Sequence, residues 1–120
     1  MDILLAEDDP SNRLIATRML EKQGHTVTCV ATGREALAAV NTQNFDIVLM
    51  DVQMPEMDGP DATREIRKDK RFAGLPIIAL TAHAMAGDRE QFLEAGMDGY
   101  LSKPMDMEEL KKVLARVLGK

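Results

Sequence analysis

The sequence predicts an α/β fold: a doubly wound parallel sheet with helices on both faces. Three observations predict it. Short apolar runs of three to five residues alternate with longer amphipathic segments. The runs are rich in Ile, Leu and Val and lack polar alternation, the pattern of strands buried on both faces. Five such run-and-segment pairs follow one another within 120 residues, and repeated βα units wind into a parallel sheet through right-handed crossovers. A chain of this length suits one domain, spanning 1–120, with a core that needs no staples.

The runs, in order, are Ile3 to Ala6, Thr26 to Val30, Ile47 to Met50, Ile77 to Leu80 and Gly99 to Leu101. The last is the weakest and is placed partly by its position in the alternation. After the first run, Ile15, Ala16, Met19 and Leu20 form two adjacent pairs four apart and so share a helix face; Gly24 is the stop. Ala36, Leu37 and Val40 mark the second helix. Asp58, Gly59 and Pro60 start the third, which carries Ala62 and Ile66 four apart. The fourth covers Ala84 to Ala95 with Gly96 as its stop, although Gly87 weakens its interior. The fifth is the clearest, with a stripe of Met107, Leu110, Val113, Leu114, Val117 and Leu118.

Composition narrows the function. The net charge is −5, which argues against a nucleic-acid surface, since binding DNA takes a basic patch. Cys29 is the only cysteine; it forms no internal disulfide and reads as a small buried strand residue. Two histidines and one cysteine make a poor zinc site. No stretch reaches the roughly 18 apolar residues of a membrane span, and MDILLAEDD is no signal peptide. A cytoplasmic protein without membrane contact is expected. No output segment follows Leu118, so no direct DNA binding by this chain is expected.

In a doubly wound sheet the functional site lies beyond the carboxyl ends of the strands. Glu7, Asp8 and Asp9 end the first run, Asp51 the third and Thr81 the fourth, and the fifth leads through Tyr100, Leu101 and Ser102 to Lys103 and Pro104. Parallel strands gather all of these on one rim. Two carboxylates about 4 Å apart repel by roughly 4 kcal/mol at an effective dielectric near 20. Lys103 offsets one charge, and the remainder calls for a hard divalent cation with oxygen ligands, for which Mg²⁺ fits. A carboxylate beside such an ion can act as a nucleophile and form an acyl phosphate. Thr81 and Lys103 are the hydroxyl and ammonium available to hold phosphoryl oxygens.

The segments LLAEDD, IVLMDVQMPEMDG, IIALTA and GYLSKP, in this order and at these spacings, resemble the four signature segments of response-regulator receiver domains. The resemblance covers essentially the whole chain. It implies a flavodoxin-like sheet of strand order 2-1-3-4-5 with five helices, and a phosphoryl-accepting role in two-component or phosphorelay signalling. It places the phosphoryl acceptor on Asp51, and the metal on Asp8 directly, on Asp51 itself, on Glu7 through water and on the backbone carbonyl of Gln53. Mg²⁺ is the implied ion, with Mn²⁺ as a substitute. Asp9 is left as a helix cap. Thr81 and Lys103 take the hydroxyl and lysine positions, and Pro104 the proline after it. Thr81 and Tyr100 take the switch positions, which report to the surface of helix 4, strand 5 and helix 5. Gln53 and His83 take the positions that tune phosphate lifetime. The implied donor is a histidine kinase or a histidine phosphotransfer protein, and a homodimer through helix 4, strand 5 and helix 5 is a further implied partner. The stretches LTAHAMAGDRE and MDGYLSKPMDMEEL resemble receivers attached to hybrid histidine kinases.

Plainer explanations exist for each residue. Asp8 and Asp9 before a helix cap it, Asp51 can be a turn residue, Thr81 an ordinary strand residue and Lys103 a solvated charge. They leave the joint arrangement of Glu7, Asp8, Asp51, Thr81 and Lys103 unexplained. Asp58 with Gly59 remains a turn. The methionines are core filler, with Met54 and Met57 packing the loop after Asp51. His83 is not a relay histidine, because a histidine phosphotransfer protein is a helical bundle. An Asp-nucleophile phosphatase of the haloacid-dehalogenase type carries a second Asp two residues after the first, where this chain has Gln53. A non-phosphorylated relative would have lost part of the acid–lysine set. A flavin-binding protein would place a phosphate-cradling loop where this chain has acids. The domain is therefore expected to catalyse its own phosphorylation and dephosphorylation, not the turnover of a separate substrate.

Overall fold

The computed structural model describes residues 1–82, 88–103 and 105–118. Five parallel strands, β1 (Asp2–Ala6), β2 (Thr26–Val30), β3 (Ile47–Asp51), β4 (Ile77–Thr81) and β5 (Gly99–Ser102), form one sheet in the order 2-1-3-4-5. The helices are α1 (Pro10–Lys22), α2 (Gly33–Thr42), α3 (Gly59–Arg67), α4 (Asp88–Ala95) and α5 (Met107–Leu118), with a 3₁₀ turn at Lys70–Phe72. This is the predicted flavodoxin-like arrangement. Expected helix positions 84–87, His83 and Pro104 lie outside the described residues.

Alternation of side chains along each strand divides the core into two layers. Leu4, Ala6, Val48, Met50, Ile77 and Ala79 point to one face, where Ala36 and Val40 of α2, Ala62 and Ile66 of α3 and Phe92 of α4 cover them. Ile3, Leu5, Ile47, Leu49, Ile78 and Leu80 point to the other, against Ala16 and Leu20 of α1 and Leu110 and Val113 of α5. β3 and β4 are buried along their whole length.

The helix starts follow from local chemistry. Asp9 caps α1, its carboxylate accepting the Ser11 N–H at 2.9 Å, and Pro10 follows where no donor is needed. Thr32 and Glu35 form a capping box on α2. Asp58 caps α3 by accepting the Asp61 N–H at 2.9 Å. Met54 and Met57, in the loop after Asp51, are half-buried and pack against the core cluster that includes α2 and α3.

Three expectations are corrected. β2 is not buried on both faces: it is the sheet edge, paired only with β1, and its residues are half-buried or exposed. Cys29 on this strand is consequently exposed, with its Sγ 3.2 Å from the Thr17 hydroxyl. Ile15, expected on the core face of α1, is 53% exposed, next to Leu14 at 51%. α1 packs through Ala16 and Leu20, and a face anchored on these leaves the preceding residue on its outer flank.

A cleft at the carboxyl ends of the strands

Strand register brings the predicted rim together. Ala6 of β1 lies opposite Met50 of β3, so the next residues, Glu7 and Asp51, end adjacent strands. Asp51 lies opposite Leu80 and Thr81 opposite Ser102, which puts Thr81 one step beyond Asp51 and Lys103 just past β5. β1 and β3 are the pair where the winding direction reverses, and a crevice opens between the loops that leave them. The crevice is an open cleft of about 870 Å³ whose walls include Glu7, Asp8, Asp51, Gln53, Thr81 and Lys103.

Glu7, Asp8 and Asp51 each offer a carboxylate oxygen, all within 4.8 Å of one another. Glu7 is 3% and Asp51 4% exposed, whereas Asp8 is exposed. The Lys103 ammonium bridges the two buried acids, 2.7 Å from Asp51 Oδ2 and 2.9 Å from Glu7 Oε1. The other Glu7 oxygen, Oε2, accepts the Asp9 N–H at 3.2 Å, and Asp51 Oδ1 accepts the Gln53 N–H at 3.2 Å. Lys103 Nζ thus counters two carboxylates while a third stands beside them.

Burial and the neighbouring Asp51 carboxylate push the Glu7 carboxyl above its ordinary range, against the opposing pull of Lys103. Burial works against the Lys103 ammonium, but its bonds to Asp51 and Glu7 outweigh it and hold its pKa above the usual lysine value. Hard carboxylate oxygens clustered at this spacing, with an open side facing solvent, suit a small divalent cation that keeps some of its waters. The donor set fits Mg²⁺.

Thr81 is buried at 8% exposure. Tyr100 is half-buried on β5, its ring 6.4 Å from that of Phe92 and tilted by 52°. The structure therefore gathers Glu7, Asp8, Asp51, Gln53, Thr81 and Lys103 at one cleft and leaves Tyr100 outside its wall, next to Phe92 of α4; His83 is outside the described residues.

Sequence reasoning missed several residues of the cleft wall: Asn12, Pro60, Arg64, Asp88, Gln91 and Phe92. They come from the first two turns of α1, α3 and α4. The rule that helix N-termini follow the strand ends could have found them. Reasoning from the strand ends alone also missed the direct Glu7–Lys103 pair, because one extra methylene, relative to Asp, sets the reach of Glu7.

A 2-1-3-4-5 sheet with an acidic cleft at its reversal point is the architecture of signal receivers. The sequence matches the response regulator receiver domain over residues 3–115, and the chain belongs to that family. It is similar to the sensor protein GacS of Pseudomonas syringae pv. syringae, 44% identical over 120 residues covering 98% of this chain and 13% of that protein. The chain spans between 12% and 15% of the length of the curated relatives it matches. Among solved structures it resembles the receiver domain of sensor histidine kinase PA1611 from Pseudomonas aeruginosa PAO1, which has a magnesium ion coordinated in its active site cleft. The TM-score is 0.89 and the identity 46%, over 99% of this chain and 98% of that one. The receiver domain of Ssk1 from Saccharomyces cerevisiae, solved with the histidine phosphotransfer protein Ypd1, has a TM-score of 0.87 and 26% identity, over 96% of this chain and 86% of that one. Among the described residues, no helix is long and apolar enough to cross a membrane.

Proposed function

We propose that this domain accepts a phosphoryl group on Asp51 from a phosphohistidine donor and changes its α4–β5–α5 surface in response. The observation that carries this reading is the cluster itself. Carboxylate oxygens of Glu7, Asp8 and Asp51 lie within 4.8 Å of one another, and the Lys103 ammonium is 2.7 Å from the proposed nucleophile.

Each residue has a role set by its position. An Asp51 carboxylate oxygen attacks phosphorus, an O–P bond forms, the donor's N–P bond breaks, and its electron pair returns to the imidazole. Lys103 holds Asp51 in place and then offers its ammonium to a phosphoryl oxygen. The Thr81 hydroxyl donates to another. Asp8, Glu7, Asp51 and the Gln53 carbonyl would hold Mg²⁺, for which Mn²⁺ is a substitute. When bound, the ion supplies neutralisation of the charge that develops on the phosphoryl oxygens. Thr81 adjacent to the new phosphoryl group and Tyr100 behind it form the switch, and a partner that prefers the switched surface is recruited in proportion to that preference. Gln53 and His83 tune how long the phosphate lasts.

The proposed donor is a histidine kinase or histidine phosphotransfer protein, in keeping with the Ypd1–Ssk1 complex and the sensor kinases that this chain resembles. A homodimer through α4–β5–α5 is a second proposed assembly. The domain acts in the cytoplasm, without direct nucleic-acid or membrane contact, and turns over no separate substrate. With Mg²⁺ and acetyl phosphate, intact-mass analysis is expected to show one added phosphoryl group, lost in Asp51→Asn. The same adduct in Asp51→Asn, or multiple turnover of an unrelated phosphate ester, would overturn this reading.

A further inference from the structure

The loop that leaves Asp51 runs from Val52 to Asp58, and glycine contacts grip its backbone at two points. At its far end the Gly59 N–H donates to Val52 O at 3.0 Å, and a Cβ on Gly59 would lie 2.3 Å from Asp51 O. The second grip comes from another part of the chain. Gly33, the first residue of α2, donates its N–H to Met57 O at 3.0 Å. A Cβ on Gly33 would lie 2.1 Å from that oxygen and 3.1 Å from the Ala62 Cβ. Only glycine fits there without moving the loop.

The α2 side of this contact is braced by the capping box. The Thr32 hydroxyl accepts the Glu35 N–H at 3.0 Å, and Glu35 Oε1 accepts the N–H groups of Ala31 at 2.8 Å and Thr32 at 3.2 Å. The Gly33 N–H is a helix-start donor with no partner inside the helix, and Met57 O satisfies it at the positive end of the helix dipole. On the loop side, Glu56 adopts φ 68°, a left-handed conformation that non-glycine residues seldom take unless their surroundings hold them there. The Met57 N–H closes that turn by donating to Pro55 O at 2.8 Å, and the carbonyl of the same residue meets the Gly33 N–H.

Gln53 is on the same loop and lines the cleft, whereas neither Gly33 nor Glu56 does. We propose that Gly33, with the left-handed turn at Glu56, is a positioning residue: by pinning the Met57 carbonyl it fixes the loop backbone and so the direction of the Gln53 carbonyl at the metal position. This rests on the phosphoryl-acceptor reading above. It adds that part of the cation affinity is set from α2, which contributes no side chain to the cleft wall.

Calorimetric titration of Mg²⁺ into the full chain tests it, alongside amide hydrogen exchange of Gln53 through Met57. Gly33→Ala is expected to raise the Mg²⁺ midpoint about tenfold, the low end of what loss of supporting contacts costs a metal site, and to speed exchange in the loop. Glu56→Val attacks the same contact from the other side, since a β-branched residue resists positive φ; it is expected to do the same. Glu56→Gly, which accepts that φ, should stay within about twofold of the parent. At saturating Mg²⁺ all three still take one phosphoryl group from acetyl phosphate. A parental midpoint in both Gly33→Ala and Glu56→Val, with only a lower melting temperature, would overturn the proposal. Should Gly33→Ala fail to fold, Glu56→Val at its exposed position decides. No Mg²⁺ binding and no adduct in the parent would instead overturn the phosphoryl-acceptor reading, and this proposal with it.

Discussion

The two ends of the sheet treat charge in opposite ways. At the amino ends of the strands, carboxylates are matched to donors. Asp46 Oδ2 accepts the Asp2 N–H at 2.7 Å. Asp98 Oδ2 accepts the Ile77 N–H at 2.8 Å and pairs with Arg67 Nη2 at 2.9 Å, while Arg67 also donates to the Gly96 and Phe72 carbonyls. At the carboxyl ends, Glu7, Asp8 and Asp51 converge on the Lys103 ammonium. The first end is built for stability. The second keeps an excess of negative charge that a bound cation would relieve, and like charges are held this close only where the surrounding fold fixes them.

That contrast can be broken, or sharpened, by substitution. The largest effect is expected from Asp8→Asn, which removes a carboxylate from the cluster. Its Mg²⁺ midpoint should rise by at least about a hundredfold, the upper end of what supporting contacts alone are worth. The metal-free variant should melt higher than the parent, because a repulsion is gone. A lower melting temperature would mean that the acids are not in excess. Next in size is Arg67→Ala at the opposite end. It takes the guanidinium from the Gly96 and Phe72 carbonyls and leaves Asp98 only its bond from the Ile77 N–H, and urea unfolding should show a loss of about 2 kcal/mol with an unchanged Mg²⁺ midpoint.

A smaller effect is expected from pH. The Glu7 carboxyl is held above 4.5, so lowering the pH from 8 toward that value protonates it in the fold and should move the Mg²⁺ midpoint up a few-fold. A raised carboxyl contributes stability below 4.5 that is lost as pH rises through its folded value, so for this group the metal-free protein is less stable at neutrality. Lys103, held above 10.5, contributes stability that persists to that pH and is lost as pH rises through its higher folded value. A scan of melting temperature against pH, with and without Mg²⁺, reads both. The smallest effect is expected at Ile15→Ser. This exposed residue should change stability by no more than about 0.5 kcal/mol, and a larger loss would show that α1 packs differently.

Much of the fold was legible because its signals are local. The Ile, Leu and Val runs mark β1, β3 and β4, and Asp9 and Asp58 sit where helix starts need acceptors. What the sequence does not encode locally is position within the sheet. β2 reads as a strand like the others, but being at the edge is a property of topology, and it exposes Cys29. Ile15 likewise matches a core-facing pattern, yet the angle at which α1 lies on the sheet decides which flank is wet. At the cleft, Glu7, Asp8, Asp51, Thr81 and Lys103 were legible together because parallel strands must end on one rim. The contact between Gly33 and Met57 was not, since it joins two backbones and no side-chain type announces it; the signal was only a glycine at a helix start and an acidic residue in a tight loop.

Asp51 is the residue proposed to carry the phosphoryl group. An acyl phosphate is reduced by borohydride, which would convert a phosphorylated Asp51 to homoserine. After brief exposure to acetyl phosphate and Mg²⁺, peptide mapping should find homoserine at position 51 and at no other acidic residue, and none when Mg²⁺ is withheld. Homoserine at position 8 or 58 in place of 51, or a phosphoryl adduct that borohydride leaves intact, would contradict the account.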